Sequence, residues 1–366
     1  MATPAGFDLI DQGVTPARKR LGRLLMAVAT AGLLAVLLLQ FLDATNRLAV
    51  GFENWRPLLY AYVLWGIALG VGQVLTRGED GVKALFILPA VLFTVALVVF
   101  PTLFGFYLAT TNWNLSSFDG PRFNGLANFW QAWRDPFYLN ALGNMALYVL
   151  AIVVEYAIAF GLALLLNAQI RARKFFRVLF LLPLMLSPVA VSWMIGKSMM
   201  ETRFGPIARF LRWIGWERPA FFADPVIAKL SIMALDAWTF IPFMMIMLLA
   251  GLQALSREVL EAAKVDGANA WQTFWQVTFP LMLPVSVTAV ILRIIFKLKL
   301  ADIVITVTSG GPGGATDTVT SFIFREYRDR SNVGYGTMLA MIYLVLIIIF
   351  VTLLMKLANR FVRNVT

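Results

Sequence analysis

Eight long apolar runs divide this chain and restrict what it can fold into more than any other feature. Each run has about 17 residues or more, which is enough for a helix to cross a hydrocarbon core of roughly 30 Å. A segment in lipid must satisfy its backbone hydrogen bonds internally, so the runs predict helices rather than open sheets. They lie near residues 24–42, 57–75, 84–108, 139–167, 175–199, 227–252, 281–301 and 336–358. The expected fold class is therefore an all-α integral membrane protein with about eight transmembrane helices.

Composition excludes several kinds of chemistry. Of the 366 residues, 60% are hydrophobic and 14% are charged, and there is neither cysteine nor histidine. Disulfides, thiolate chemistry and histidine-ligated metal sites are therefore excluded. A membrane-embedded enzyme would have to build its site without the residues that most often serve as nucleophile and base. We expect no catalytic residues and no metal site in this chain.

The distribution of basic residues predicts which loops face the cytoplasm. The net charge is +11, which in so apolar a protein fits loops facing anionic membrane lipid better than nucleic-acid binding. Basic clusters occur at 18–23 before the first run, at 168–177 and in the tail after 355. Under the positive-inside rule, eight spans then place both termini in the cytoplasm.

One loop opposes this topology. Residues 201–226 are assigned to the outside although they contain four arginines. Ile207, Leu211 and Ile214 recur there at helical spacing. We therefore expect a short amphipathic helix lying on the outer surface.

A polar stretch separates the sixth and seventh runs. It contains Glu261-Ala262-Ala263, then Asp266-Gly267, and ends with Val277-Thr278-Phe279-Pro280. The spacing resembles the E-A-A-x(3)-G coupling loop of binding-protein-dependent ABC importer permeases. That family usually ends the loop with Ile-x-Leu-Pro, so this chain departs mildly while keeping the apolar character and the proline. The resemblance implies that the coupling loop (residues 256–280) docks onto a separate ATPase.

The coupling loop has a predicted local structure. Residues 257–265 can form a short helix, Gly267 can adopt the backbone angles of a sharp break, and a second helix over 269–279 leads to Pro280. The resemblance implies that Glu261, Ala262, Ala263, Asp266 and Gly267 contact the ATPase, with Glu261 as a charged anchor. The alternative is a solvated amphipathic linker with no partner.

Further segments resemble the carbohydrate branch of these importers, the maltose and glycerol-phosphate types. They are 123–149, 182–195, 238–255 and the glycine-rich loop at 308–319. That loop could instead be a phosphate-binding loop or a generic external loop, but no Gly-Lys-Ser/Thr closes it. A Gly-Lys-Ser triplet at 196–198 lacks the glycine required at Val191. The resemblance thus implies a permease that is not itself an enzyme and binds no cofactor, with ATP and Mg held by partners.

The resemblance also implies an assembly and a division of the chain. Residues 1–82 would be a cytoplasmic segment and a two-helix hairpin, and 83–366 a six-helix permease core. The partners would be a second homologous permease, two ATP-binding subunits and a periplasmic or lipid-anchored solute-binding protein in a bacterial inner membrane. The solute would be a sugar, polyol or sugar derivative. The alternative is a secondary transporter driven by an ion gradient, which needs an acidic residue near the midplane, and Glu155 is the only good candidate.

Charged residues inside spans are candidates for function. Glu155 lies in the fourth run, while Arg293 and Lys297 lie one helical turn apart in the seventh. Two interpretations stay open: Arg293 pairs with Glu155 inside the bundle, or Arg293 and Lys297 line the translocation path. Trp238 is a further candidate for that path because its ring could stack on a sugar, although anchoring at the lipid interface explains it equally well.

Overall fold

The computed structural model describes residues 14–44, 51–52, 54–118, 120–168 and 171–365. They form two compact units, Met1–Phe104 and Gly105–Thr366. This is a division by packing, and the assignment of 83–366 to a transport core stays a prediction. Within the described ranges no strand is present beyond an isolated bridge between Thr111 and Phe123.

The described residues form seventeen α-helices and three π-helical turns, and each turn continues at least one α-helix. The first unit holds α1 (Pro16–Ala44), α2 (Arg56–Arg77), α3 (Glu79–Thr94) and the start of α4 (Phe100–Ala109). The second holds α5 (Ala127–Arg134), α6 (Pro136–Leu150), α7 (Ile152–Asn167), α8 (Arg173–Met185), α9 (Pro188–Val191), α10 (Pro206–Trp213), α11 (Pro225–Ala254), α12 (Arg257–Val265), α13 (Ala270–Thr273), α14 (Phe279–Lys297), α15 (Asp302–Val307), α16 (Val319–Arg328) and α17 (Val333–Val365). The π-helical turns are Val95–Val99, Ser192–Met199 and Phe274–Thr278.

In the described part of the chain, seven helical segments are long and apolar enough to cross a membrane. They are Pro16–Asp43, Arg56–Arg77, Glu79–Ala109, Pro136–Asn167, Pro225–Ala254, Ala270–Lys297 and Val333–Arg360. A bent pair, Arg173–Met185 with Pro188–Met199, brings the number to eight if the pair is one span. The predicted fold class, an all-α membrane protein with about eight spans, is confirmed.

The predicted span 175–199 is not one continuous helix. Its two halves meet at an angle of 97°. Pro188 causes the break, because a proline disfavours helical angles in the residue before it and Ser187 is accordingly extended (φ −67°, ψ 146°). The Ser187 hydroxyl then accepts a hydrogen bond from the Ala190 amide at 3.2 Å and starts the second half as its N-cap. By contrast, α11 runs unbroken through Pro242.

The predicted span 281–301 is displaced toward the coupling loop. The helix begins at Ala270, inside that loop, and ends at Lys297. A proline within a helix removes an amide donor and crowds the carbonyl four residues earlier. The helix meets Pro280 with a wider π turn at Phe274–Thr278, so the second coupling helix and the span are continuous.

The first unit is a helical hairpin followed by a third helix packed on it. Across α1 and α2, the Trp65 indole donates to the Thr30 hydroxyl at 2.9 Å. Across α2 and α3, the Tyr62 hydroxyl donates to the Leu92 carbonyl at 2.7 Å. Between helices in lipid, such polar contacts add to van der Waals packing, because the hydrophobic effect does not favour association there.

The core of the second unit lies where α7 packs on α11. Ala159, Ala163 and Leu166 on α7 recur at helical spacing and are fully buried. Small residues at two of these positions let the backbones approach closely. Met282 and Ala289 of α14 and Leu339 of α17 belong to the same cluster, to which α5, α6 and α16 also contribute.

The loop 201–226 contains the predicted amphipathic helix, α10 (Pro206–Trp213). Ile207 and Leu211 pack against a second apolar cluster built around Val191, Leu235 and Ile303, while Ile214 follows the helix and is exposed. The helix is thus attached to the second half of the bent span.

Gly196 marks the closest approach of that half to its neighbours. A Cβ added at Gly196 would lie 2.8 Å from Val307 Cγ2 and 3.3 Å from Leu235 Cδ1. The glycine of the Gly-Lys-Ser triplet therefore has a packing role.

We expect Gly196→Val to lower stability by about 1–3 kcal/mol, because the branched Val307 cannot move aside without disturbing α15. Thermal unfolding of the purified protein in detergent would measure this. Gly161→Val is the matched control, since a Cβ there meets nothing within 4 Å. Equal melting temperatures for the two variants would contradict the packing role.

Candidate coupling loop and buried ion cluster

The coupling loop folds as a bent helix pair, as its sequence predicts. Helix α12 ends with a Schellman motif, in which the Ala268 amide donates to the Ala263 carbonyl (3.0 Å) and the Gly267 amide to the Lys264 carbonyl (3.1 Å). Gly267 has φ 81°, which a residue with a side chain rarely adopts. Asn269 then starts the second helix with a capping box, exchanging two hydrogen bonds of 2.9 Å with Gln272. The bend is therefore fixed by local hydrogen bonds.

The outer face of this helix pair is exposed and partly apolar. Of the five predicted contact residues, Ala263 is buried against the protein, while Glu261, Ala262, Asp266 and Gly267 are exposed. Val265 and Trp271, which the sequence analysis did not single out, are 87% and 70% exposed. Val265 and Trp271 thus add exposed apolar surface to a helix pair that also exposes the carboxylates of Glu261 and Asp266. In the sequence, Val265 and Trp271 could have been recognised as apolar residues within a polar loop.

Four buried charges meet where α7, α11 and α14 pack together. Arg293 Nε lies 2.7 Å from Glu155 Oε2, and Lys297 Nζ lies 2.6 Å from Glu155 Oε1. Both bases also contact Asp236 Oδ2, through Arg293 Nη2 and Lys297 Nζ. We call Glu155, Asp236, Arg293 and Lys297 the ion cluster. It contains two cations and two anions, so its formal charge is zero.

The ion cluster is isolated from solvent. Arg293 and Lys297 are 0% exposed, and the two carboxylates are almost as deeply buried. A charge removed from water is tolerated only when it is paired and hydrogen-bonded. The Arg293 guanidinium also lies over the Phe240 ring, with Cζ 4.7 Å from the ring centre, while its Nη1 is buried without a hydrogen-bond partner. The cluster therefore fixes the register of three helices against one another.

The structure resolves the pairing question raised by the sequence. Arg293 pairs with Glu155, and Lys297 joins the same pair. Asp236 was missed, and the view that Glu155 was the only acidic candidate in the spans was wrong. The signal was available, because Asp236 is a carboxylate inside the apolar run 227–252. A role of Arg293 and Lys297 in the translocation path stays a prediction.

Trp238 lies outside the ion cluster. Being two residues from Asp236, it points about 160° away around α11. Its side chain is 41% exposed and lines two mainly apolar cavities of about 420 and 430 Å³. One cavity includes Met194 and Met199 from the second half of the bent span, and the other includes Leu182 and Pro183 from the first half. Trp238 therefore lies beside both halves of the break.

The glycine-rich loop at 308–319 is packed into the protein rather than standing in solvent. Three α6 side chains, spaced four residues apart, donate to its carbonyls: Asn140 to Gly314 (2.7 Å), Asn144 to Asp317 (3.0 Å) and Tyr148 to Thr316 (3.1 Å). Thr316 and Asp317 of this loop are fully buried. Polar residues at this spacing in an apolar run were the signal that the sequence analysis did not use.

Asp317 anchors the glycine-rich loop to α16. Its Oδ1 accepts from the Ser321 hydroxyl at 3.0 Å, and its other oxygen contacts Arg325. Burial raises the pKa of Asp317 above its usual value, while the positive charge of Arg325 opposes the shift. Among the described residues no group of three or more carboxylates comes together as a metal site.

We expect Arg293→Gln to destabilise the protein by about 3–5 kcal/mol, because two buried carboxylates would then face one ammonium. Adding Glu155→Gln should recover part of the loss, since the remaining pair is again neutral. Thermal unfolding of both single variants and the double variant would give the coupling energy.

Lys299→Gln is the matched control, because Lys299 is exposed two residues beyond the cluster. An Arg293→Gln protein as stable as this control, or a double variant less stable than both single ones, would contradict the pairing.

Known proteins resemble this chain in sequence and in fold. The trehalose/maltose transport system permease protein MalF of Thermococcus litoralis is 28% identical over 281 residues, covering 76% of this chain and 94% of that protein. The sulfoquinovosyl glycerol transport system permease protein SmoG of Agrobacterium fabrum is 31% identical over 270 residues, covering 73% of this chain and 87% of that protein. The chain thus spans most of the length of both relatives.

A solved structure has the same fold. It is a crystal structure of a bacterial alginate ABC transporter in complex with an alginate pentasaccharide-bound periplasmic protein. One of its chains superposes with a TM-score of 0.68 at 19% identity, over 78% of this chain and 96% of that chain. At this identity the likeness concerns the fold alone.

The family match includes the whole coupling loop and every residue of the ion cluster except Glu155. The family described as the binding-protein-dependent transport system inner membrane component matches residues 156–364, more than half of the chain. Together with the eight candidate spans, this match places the protein in the inner membrane as a multi-pass subunit. The chain belongs to the family of inner membrane components of binding-protein-dependent transport systems.

Proposed function

We propose that this chain is one of two permease subunits in an ATP-driven importer of a carbohydrate or a related polyol or sugar derivative. A periplasmic or lipid-anchored binding protein delivers the solute, and a second, homologous permease completes the path. Two ATPase subunits bind ATP and Mg, so the chain itself performs no catalysis. Closure of the ATPases drives alternating access through the coupling loop.

The exposed face of the coupling loop carries this proposal. Glu261 offers a charge to an ATPase, and Val265 and Trp271 offer apolar surface to a cleft in the same partner. An ATPase that uses cellular ATP can reach the coupling loop only from the cytoplasm. With eight spans, the basic cluster at 18–23 and the basic tail then also lie in the cytoplasm, in accord with the positive-inside rule. Both termini are therefore cytoplasmic in this proposal.

The break in the bent span supports a second permease. Leu186 and Ser187 are exposed on this chain, and a helix break leaves carbonyl and amide groups without intrahelical partners. Such backbone is not tolerated against lipid tails and occurs where protein covers it or where it lines a water-filled cavity. A homologous permease packed against this side would provide both the cover and the path.

The relatives and Trp238 support a carbohydrate solute. The relatives described above are named for trehalose and maltose and for sulfoquinovosyl glycerol. Trp238 lies beside the break of the bent span and presents an exposed aromatic face suited to stacking on a sugar ring. Coupling to an ion gradient would need a carboxylate free to bind the ion, whereas Glu155 and Asp236 both contact Arg293 and Lys297.

Glu261→Lys tests the assembly. Because the substitution reverses the charge at the docking face, we expect ATPase binding to fall at least about tenfold. The wild-type protein and the variant would be purified from native membranes in mild detergent, and the co-purifying proteins identified by mass spectrometry. Wild type should retain an ATPase, a second permease and a binding protein, and the variant should lose the ATPase.

Glu217→Lys is the control, since it makes the same charge reversal at an exposed residue of the 201–226 loop, on the proposed outer side. It should leave the ATPase bound. A wild-type chain that purifies alone, or only as a homo-oligomer, would overturn the importer proposal.

Trp238→Ala tests the solute path. Loss of one stacking contact, worth about 0.5–1.5 kcal/mol, should raise the solute concentration for half-maximal uptake by a factor of about 2 to 13. Trp238→Phe should keep most of the uptake, and Trp55→Ala, at an exposed tryptophan in the first unit, should have no effect. Radiolabelled uptake by reconstituted complexes measures all three, and an unchanged Trp238→Ala protein would remove Trp238 from the path.

A further inference from the structure

A basic cavity lies beside the coupling loop, where α7 and α11 end and α8 and α12 begin. It measures about 720 Å³. Its polar lining is Asn167, Arg173, Lys174, Arg177, Gln253 and Arg257. Leu260, on the same turn as Glu261, also lines it. The cavity therefore adjoins the segment through which ATPase motion would enter the permease.

The cavity concentrates positive charge without a described counter-ion. Four of its six polar residues are cations, and no carboxylate lines it within the described ranges. Glu258 and Glu261 of α12 are exposed and do not belong to its lining. Like charges in such proximity are unfavourable unless something of opposite charge joins them.

Arg173 and Arg177 are arranged to receive an anion. They lie four residues apart on one face of α8, a spacing at which like charges repel. In the amide orientation that satisfies both guanidinium groups, Gln253 Oε1 accepts from Arg173 Nη2 at 2.6 Å and from Arg177 Nη2 at 3.2 Å. A neutral amide thus holds the two cations together. The Nε atoms of both arginines are buried and have no hydrogen-bond partner.

The start of α8 adds to the positive potential. The first turn of this 13-residue helix has no acidic residue, and its N-cap, Ala172, provides no side-chain cap. The free amides at a helix N-terminus carry partial positive charge and favour anions. The first turn of α8 carries Arg173 and Lys174. The N-terminal end of a helix dipole is unfavourable for such cations.

We propose that this cavity binds a phosphate-bearing anion, either the head group of an anionic lipid or a soluble phosphate compound. Guanidinium pairs bind the oxygens of a phosphate through charge-assisted hydrogen bonds, and Arg173 and Arg177 both line the cavity. The anion neutralises Arg173 and Arg177 on α8 and Arg257 on α12. It thereby attaches the coupling helix α12 to the first half of the bent span.

The lipid source rests on the proposed function, because only the proposed orientation puts the cavity at the cytoplasmic leaflet. Basic pockets between spans on that side are typical sites for anionic head groups. The soluble source depends only on the geometry of the cavity. The two sources therefore need separate experimental arms.

The lipid arm compares phosphatidylglycerol with phosphatidylcholine by native mass spectrometry of the purified complex. Wild type should retain phosphatidylglycerol selectively. Arg173→Gln with Arg177→Gln should weaken that binding about 30-fold, because each basic residue near an anionic surface contributes roughly fivefold. The soluble arm measures the shift in melting temperature that inorganic phosphate produces in lipid-depleted detergent, again with both proteins.

Lys356→Gln with Arg360→Gln is the matched control. It removes the same charge from two exposed residues of the proposed cytoplasmic side and should leave both readouts unchanged. Arg173→Lys with Arg177→Lys keeps the charge, so it should keep most of the anion binding even if the glutamine pair fails to assemble.

Selective phosphatidylglycerol binding that the glutamine pair loses would assign the site to a lipid head group. A phosphate-induced stabilisation lost in the same variant would assign it to a soluble anion. A wild-type complex without selectivity in the lipid arm and without a melting shift in the soluble arm would overturn the proposal. Loss of anion binding in the control pair, equal to that in the glutamine pair, would overturn it as well. Both readouts are independent of ATPase retention, so failure of the importer proposal would be seen separately.

Discussion

The ion cluster joins three helices where water does not reach, and the packing of the second unit depends on it. A cation buried alone would be intolerable, so Arg293 and Lys297 require α7 and α11 to present Glu155 and Asp236 at matching heights. The apolar contacts around Ala159 and Met245 give these helices cohesion but allow many registers. The charges select one of them. In other proteins, the best-supported role of a buried ion pair is to select one packing arrangement, and its net contribution to stability is small.

The helical span that carries the two cations begins inside the coupling loop. From Ala270 to Lys297 the chain is one helical span of 28 residues, about 42 Å long at 1.5 Å per residue. The Schellman motif and the capping box define its bend at one end, and the ion cluster fixes its other end to α7 and α11. The coupling loop and the ion cluster are therefore joined by one continuous helical span. The π turn before Pro280 is the one departure from α-helical geometry along this span.

Residue patterns predicted the spans, the helix pair of the coupling loop and three members of the ion cluster. These features depend on local rules: apolar length, a glycine at a positive φ, and the cost of charge in lipid. The shared coordination by Asp236 and the packing of Asn140, Asn144 and Tyr148 against the glycine-rich loop were not predicted. Both join residues far apart in the chain, so they depend on how helices rotate against one another. Pro188, the first residue of the second half of the bent span, signals a break, but the 97° angle and the packing of this half against α11 and α15 do not follow from a proline alone.

The order of the ion cluster along the chain has a consequence for biogenesis. Glu155 and Asp236 leave the ribosome before Arg293 and Lys297, so the acceptor site is synthesised first. Each such charge opposes membrane insertion by about 2.5–3.5 kcal/mol at the centre of an isolated helix. Helix α14 is synthesised after α7 and α11. It therefore enters lipid most easily when Arg293 and Lys297 pair at once with the carboxylates of those two helices. A chain that stops short of Arg293 leaves Glu155 and Asp236 as two uncompensated acids inside the bilayer.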